Sequence, residues 1–235
     1  MSDREAQKRA AAEAAVAEVE AGMLVGLGTG TTAAYAIAAL ARRHAEGLRI
    51  TCVATSLATA ATAEAAGLTI RDMGEVATVD LAIDGVDEID PALRAIKGGG
   101  GAMLREKVVA AAATSMIAIA DAGKAVPRLG VHPVPVELLP FASAAVAARV
   151  AALGATPVLR HQADGAPFAT DQGNHVLDCA FDALDDPAAI AAALAAIPGV
   201  LGHGLFLDEI DALYLGTDEG VVRTGRGVYS GGAPD

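Results

Sequence analysis

Three short stretches of the chain set glycines, carboxylates and a lysine beside apolar runs, the residue types that proton transfer on a small anion needs. The first is Gly26-Leu27-Gly28-Thr29-Gly30-Thr31-Thr32, between a predicted strand and a predicted helix. Glycines let the backbone turn tightly and approach a ligand, and a helix start offers unpaired N–H groups to an anion. The hydroxyls of Thr29, Thr31 and Thr32 add donors. No Gly-Lys-Ser/Thr follows, so this is not a Walker A loop. It also fits the dinucleotide pattern poorly: Thr31 takes the sixth position, and the next strand ends in Thr55-Ser56 rather than in an acid. A phosphate suits the stretch, although a plain capped turn would use the same residues.

The second stretch is Ile83-Asp84-Gly85-Val86-Asp87-Glu88-Ile89-Asp90, whose acids follow an apolar strand. Ligands bind at such strand ends in open α/β sheets, where carboxylates can do acid–base work or hold sugar hydroxyls. The spacing lacks the calcium-loop pattern and no His lies near, so a metal is not expected; a solvated acidic turn is the alternative. The third is Lys97-Gly98-Gly99-Gly100-Gly101-Ala102-Met103-Leu104-Arg105-Glu106-Lys107. A glycine run at a helix start is costly in chain entropy unless the backbone must come against a ligand or form an anion nest. Lys97 brings a cation to this loop, and Glu106 lies one turn into the helix, close enough to face the same ligand. Lys124 follows another apolar strand and is either a ligand contact or a surface lysine. The five histidines are scattered, with no two at helical metal spacing.

The elements that must position these residues alternate. Helices are predicted at 5–20, 31–44, 57–66 (closed by Gly67) and 102–114. Strands are predicted at 23–27, 49–54, 68–72, 79–83 and 115–120. Such alternation argues for a mostly parallel sheet with helices on both faces. Near Val131 the pattern changes. The segment 132–137 carries Pro133 and Pro135 and reads as an edge strand or connector. Then follow a helix at 141–153, strands at 156–161 and 176–181, a helix at 187–196 with Asp186 as N-cap, and a strand at 200–206. This β-α-β-β-α-β order predicts a small inserted ferredoxin-like α+β domain. The division is therefore 1–130 and 207–235 for the α/β domain and 131–206 for the small domain, with 210–215 and 221–223 returning to the main sheet. The tail 230–235 reads as disordered.

Composition narrows the classes. The chain has 235 residues, a formal net charge of -12 and 53% hydrophobic residues, of which 57 residues are alanine. Alanine therefore carries the mean hydropathy of +0.43, and no apolar run is long enough to span a membrane. Residues 1–5 are charged and lack a signal-peptide core. Two lone cysteines without metal spacing suit a cytoplasmic setting as buried thiols. The acidic balance argues against nucleic acid and gives an anionic substrate no long-range attraction.

A phosphate-type turn, a carboxylate cluster, a lysine–glycine loop and a separate Glu on successive strand ends suit aldose–ketose isomerisation of a phosphorylated sugar. That reaction needs ring opening, a base to move a proton between adjacent carbons, and donors for the enediolate oxygen. With Ala120-Asp121-Ala122-Gly123-Lys124 as a fourth motif in order, the chain resembles the ribose-5-phosphate isomerase A family from its first helix to Leu215-Gly216-Thr217. Val86, Gly101 and Gly123 stand where many members carry Ala, Ala and Ser. The resemblance implies interconversion of ribose 5-phosphate and ribulose 5-phosphate in the non-oxidative pentose phosphate pathway, without cofactor or metal, by a homodimer or homotetramer. It implies that Glu106 is the base, that Asp84 opens the ring and that Asp87 holds sugar hydroxyls. Lys97 with Gly98, Gly99 and Gly100 would hold the reacting end. Thr29, Gly30, Thr31 and Thr32 would bind the phosphate, helped by Lys8, and Lys124 would bind substrate. The alternatives are another sugar-phosphate isomerase or deaminase of the same fold group, a coenzyme A transferase using the Glu as nucleophile, or a non-catalytic sugar-phosphate sensor. Such a sensor needs a helix-turn-helix module, for which the roughly twenty residues before the first strand leave no room.

Overall fold

A computed structural model describes residues 3–182 and 184–226. The first half contains α1 (Arg4–Val16), β1 (Leu24–Leu27), α2 (Thr31–Ala45), β2 (Thr51–Ala54), α3 (Leu57–Ala65), β3 (Val79–Gly85), β4 (Glu88–Ile89), β5 (Ala95–Ile96), α4 (Met103–Ala112) and β6 (Ala113–Asp121). The second half contains β7 (Val134–Leu138), α5 (Ser143–Ala151), β8 (Ala155–Leu159), β9 (His175–Phe181), α6 (Pro187–Ala195), β10 (Val200–His203), β11 (Leu205–Phe206), β12 (Ala212–Thr217) and β13 (Gly220–Gly225).

The main sheet has the order β13-β12-β6-β3-β1-β2. Every pairing in it is parallel except that of the edge strand β13 with β12. Strands buried on both faces alternate between two cores. Leu81, Ile83, Ile117 and Ile119 pack against α1, α2 and α3. Ala82, Met116, Ala118 and Ala120 pack against α4 and Phe206 on the other face. The chain runs from β1 to β2 on one side, then returns to β3 on the other. The strand order therefore reverses between β1 and β3, and the crevice at their C-terminal ends is the natural ligand position.

A four-stranded antiparallel sheet, in the order β10-β7-β9-β8, packs its own core against α5 and α6 through Val146, Val150 and Leu194. Within this unit the strands are ordered fourth, first, third, second, the ferredoxin-like arrangement. Cys52 in β2 and Cys179 in β9 are free and fully buried, and burial pushes both thiols up to about 12. Among the described residues, no helix is long and apolar enough to cross a membrane.

Several local expectations change. The first helix stops at Val16, and Glu18 turns instead to the sheet edge, where its carboxylate accepts from Arg223 Nε at 2.9 Å. Residues 68–72 form a single bridge, Cys52 to Ile70, rather than a strand. The Val134 strand is neither an edge nor a connector: β7 lies between β10 and β9. Pro135 is tolerated there because a residue's N and C=O project to the same side of a strand. Its carbonyl accepts from Gly204 N on the β10 side, and the β10 pairing ends at Val136, so the missing N–H falls beyond that ladder. The strand at 200–206 is two strands in two sheets, β10 pairing with β7 and β11 with β5. Gly204 sits at the crossing, its N–H bonded to Pro135 and its carbonyl to Lys97 N. The result is a separate three-stranded sheet, β11-β5-β4, built from two-residue strands. The tail 230–235 lies outside the described residues.

Candidate active site

The turn after β1 supplies backbone donors. Gly30, with φ of 110°, caps α2, and among the described residues no side chain bonds the N–H groups of that helix start. The partial positive charge of the helix N-terminus therefore faces the crevice. Gly28 is required by close approach, because a Cβ there would stand 1.9 Å from Asp84 Oδ1. Lys8 crosses from α1, placing Nζ 3.3 Å from Thr31 Oγ1 and 2.7 Å from Glu5 Oε1. One expectation needs correction. The Thr29 hydroxyl is not a donor to a ligand, since it lies among Thr55 (2.8 Å), Ser56 (2.9 Å) and Thr59 (3.1 Å). What Thr29 offers is its backbone N–H, which donates to Asp84 Oδ1 at 3.1 Å.

At the end of β3 the four acids divide. Glu88 accepts from the Gly130 and His132 N–H groups, and Asp90 holds Arg94 Nε at 2.7 Å; both brace loops. Asp87 faces the crevice, and Asp84 lies buried beneath its floor. Lys97 follows directly on β5 and Glu106 lies in the first turn of α4, so the three-stranded sheet and the glycine loop bring them together. Lys97 Nζ stands 2.9 Å from Asp84 Oδ2 and 3.1 Å from Glu106 Oε2, with all three side chains buried. The ammonium also donates to the Gly85 carbonyl, so its three N–H groups are shared among that oxygen and the two carboxylates. The Phe206 ring closes the underside, 5.4 Å from Lys97 Nζ.

Two acids and one ammonium in a dry pocket carry an excess negative charge, so one acid keeps a proton near neutrality. Burial disfavours ionisation of both carboxyls, opposed by Lys97. Asp84 also accepts from the Thr29 and Gly85 N–H groups, which favour its charged form. Glu106 has no such donors among the described residues; burial and the Asp84 charge push it up to about 8. Burial works against the Lys97 charge, but the two carboxylates outweigh it and hold its pKa above the ordinary lysine value. Both carboxyls are thus held above the ordinary carboxylate range, and they gain and lose their protons as a pair.

Asp87 Oδ2 accepts from Gly99 N at 2.8 Å, tying the glycine loop to the end of β3. Gly98 has φ of 105°, a conformation only glycine adopts freely. Lys124 stands at the rim, in a 3-10 turn whose Gly123 N–H is bonded by Asp121 at 3.0 Å. These residues enclose a cavity of about 140 Å³. Lys8 and the turn at 29–32 line it together with Asp87, Lys97, the glycine loop, Glu106 and Lys124, and the glycine loop comes against the turn where Gly100 approaches Thr29. Asp84 alone among the expected residues does not line it and sits behind Lys97. No histidine lines it, and no group of three or more metal-ligating side chains occurs among the described residues.

The sequence reading missed Arg160, at the end of β8, whose Nη1 donates to the carbonyls of Gly98 (3.0 Å) and Gly99 (3.2 Å). It also missed the hydroxyl cluster of Thr55, Ser56 and Thr59. A polar strand end was the only sign of either.

Residues 51–220 match the family described as ribose 5-phosphate isomerase A (phosphoriboisomerase A). A relative named ribose-5-phosphate isomerase A from Sphingopyxis alaskensis is 53% identical over 97% of this chain and 99% of its own length. One of the same name from a Roseiflexus species is 48% identical over 92% and 94%. Among solved structures, a D-ribose-5-phosphate isomerase in complex with phospho-erythronic acid superposes with a TM-score of 0.93 at 36% identity, covering 96% of this chain and 100% of that one. Ribose 5-phosphate isomerase A from Methanocaldococcus jannaschii gives 0.90 at 35%, covering 94% and 99%. The chain belongs to the ribose-5-phosphate isomerase A family.

Proposed function

We infer that the chain interconverts D-ribose 5-phosphate and D-ribulose 5-phosphate through an enediolate, with carboxylates and an ammonium doing the proton work. The observation that carries this reading is the buried Asp84–Lys97–Glu106 group at one end of a cleft whose other end is an open helix start beside Lys8. The phosphate sits at the N–H groups and hydroxyls of Thr31 and Thr32, with Lys8 and Lys124 supplying positive charge. Asp84, with Lys97, opens the sugar ring. Glu106, deprotonated, takes the C2 proton; the C2–H electron pair forms the C1=C2 bond and the carbonyl oxygen becomes an oxyanion. Lys97 and the glycine-loop N–H groups hold that oxygen. Glu106 then returns the proton to C1 as the O2 proton passes to O1 and C2 becomes the carbonyl. Asp87 holds sugar hydroxyls.

Incubating the protein with ribose 5-phosphate in D₂O and following the C2 proton by NMR tests this. Loss of the C2 signal with appearance of ribulose 5-phosphate is expected; no exchange at any enzyme concentration overturns the reading.

The antiparallel sheet has a core drawn mostly from 131–206, joined by Ile96 and Leu129 of the main domain, which supports 131–206 as a domain inserted between 1–130 and 207–235 and packed closely on it. Fully exposed Phe141 and largely exposed Val131 support association of copies into a homodimer or homotetramer, and the two free buried cysteines suit a cytoplasmic setting. Sedimentation that gives only monomer would refute the assembly.

A further inference from the structure

We propose that Arg160, held by Asp178, is a positioning residue for the isomerisation: it fixes two peptide planes of the glycine loop so that the Gly100 N–H faces the reacting end of the sugar. The proposal rests on the reading of the cleft given above. In a trans peptide the C=O and N–H point in opposite directions, so anchoring the oxygen aims the hydrogen. No peptide among the described residues is cis. The Gly98 carbonyl accepts from Arg160, and the N–H at the far side of that peptide, Gly99's, donates to Asp87 at 2.8 Å. The Gly99 carbonyl also accepts from Arg160. The N–H opposite it is Gly100's, in a residue that lines the cavity, and it makes no hydrogen bond among the described residues. It is a donor held ready for a ligand oxygen.

Arg160 suits this work because it is itself immobilised. Nε donates to Asp178 Oδ2 at 2.9 Å and Nη2 donates to Oδ1, a bidentate pair that leaves Nη1 for the loop. The guanidinium also lies over the Phe168 ring, 5.6 Å from its centroid. The turn beyond is fixed in its turn: buried Glu137 accepts from Thr170 Oγ1 at 2.8 Å and Asn174 Nδ2 at 2.9 Å. The Gly98 carbonyl also accepts from Gly101 N at 2.9 Å within the loop, and the antiparallel sheet adds to that turn the rigidity that four consecutive glycines lack. A lysine could not serve equally, because one ammonium cannot grip a carboxylate along one edge and two carbonyls along another.

The test uses Arg160→Ala, Arg160→Lys and Asp178→Asn in the full chain. Three quantities are measured: kcat and KM for ribose 5-phosphate, and inhibition by phospho-erythronic acid, whose planar carboxylate resembles the enediolate in shape and charge. Removing an oriented oxyanion donor is worth about 100-fold or more, so loosening one should lower kcat roughly 30-fold in Arg160→Ala, with KM changed less than about threefold. The acid should lose affinity in step with kcat, because both report the reacting end. Arg160→Lys and Asp178→Asn should show the same pattern at about a third of the size. A role in folding alone would lower Tm without separating acid affinity from KM. If Arg160→Ala does not fold, the other two variants decide by the same criterion. Unchanged kcat and acid affinity, or KM rising as much as kcat falls, would overturn the proposal. A wild-type protein inactive in the same assay would instead refute the isomerase reading.

Discussion

At the inner end of the cleft Asp84, Lys97 and Glu106 are between 2% and 5% exposed, and each owes its charge state to the other two. At the outer end Thr31 is exposed, Lys8 and Lys124 are partly so, and the remaining donors are the N–H groups of a helix start. Charges taken out of water feel one another strongly enough to move a proton from one pKa range to another. Donors left near water can hold an anion but cannot reset its chemistry. The difference explains how a chain of net charge -12 can take a phosphorylated substrate: the cleft is lined by Lys8, Lys97 and Lys124, each placed where it acts at short range.

Changes at the inner end should strike turnover and changes at the outer end should strike binding. The largest effect is expected for Glu106→Gln, which keeps the shape but removes the base; kcat should fall by roughly 1,000-fold with KM little changed. Near-normal turnover would place the base elsewhere. Next comes pH. Glu106 acts only when deprotonated, so kcat/KM should climb about tenfold per pH unit and level off above about 8. The same shift has a stability sign. Glu106 holds its proton more tightly folded, at about 8, than at its ordinary 4.5. Its contribution is thus full below 4.5 and lost as pH rises through 8. Wild-type Tm should therefore fall over that range relative to Glu106→Gln, and parallel curves would argue against the buried proton. At the outer end, Thr31→Ala should raise KM roughly tenfold through a lost hydrogen bond to a charged group, leaving kcat alone. The smallest effect is Lys8→Ala, a KM increase of about threefold that shrinks as salt rises. A drop in kcat from either change would erase the distinction between the ends.

The alternating strands and helices were legible in the sequence because long apolar runs and glycine or Asx caps are local features. So were the site motifs, since each one follows a strand end. What escaped notice depends on partners far along the chain. Two-residue strands such as β4, β5 and β11 show no period to read, yet they set the position of Lys97. Pro135 argued for an edge until its carbonyl partner, Gly204, was known. The Thr29 hydroxyl looked like a ligand donor because nothing in its own stretch reveals Thr55, Ser56 and Thr59 behind it. Arg160 is separated from Gly98 by 62 positions, and no spacing rule connects them.

The two buried thiols offer a separate dividend. Cys52 belongs to the main sheet and Cys179 to the antiparallel one, and neither can react with a disulfide reagent until its strand opens. The molecule thus carries one native clock in each layer, and their labelling rates would time the opening of each sheet without any foreign probe. If binding at the cleft slows the Cys179 clock as well as that of Cys52, the grip of Arg160 on the glycine loop will have been felt as far as the opposite sheet.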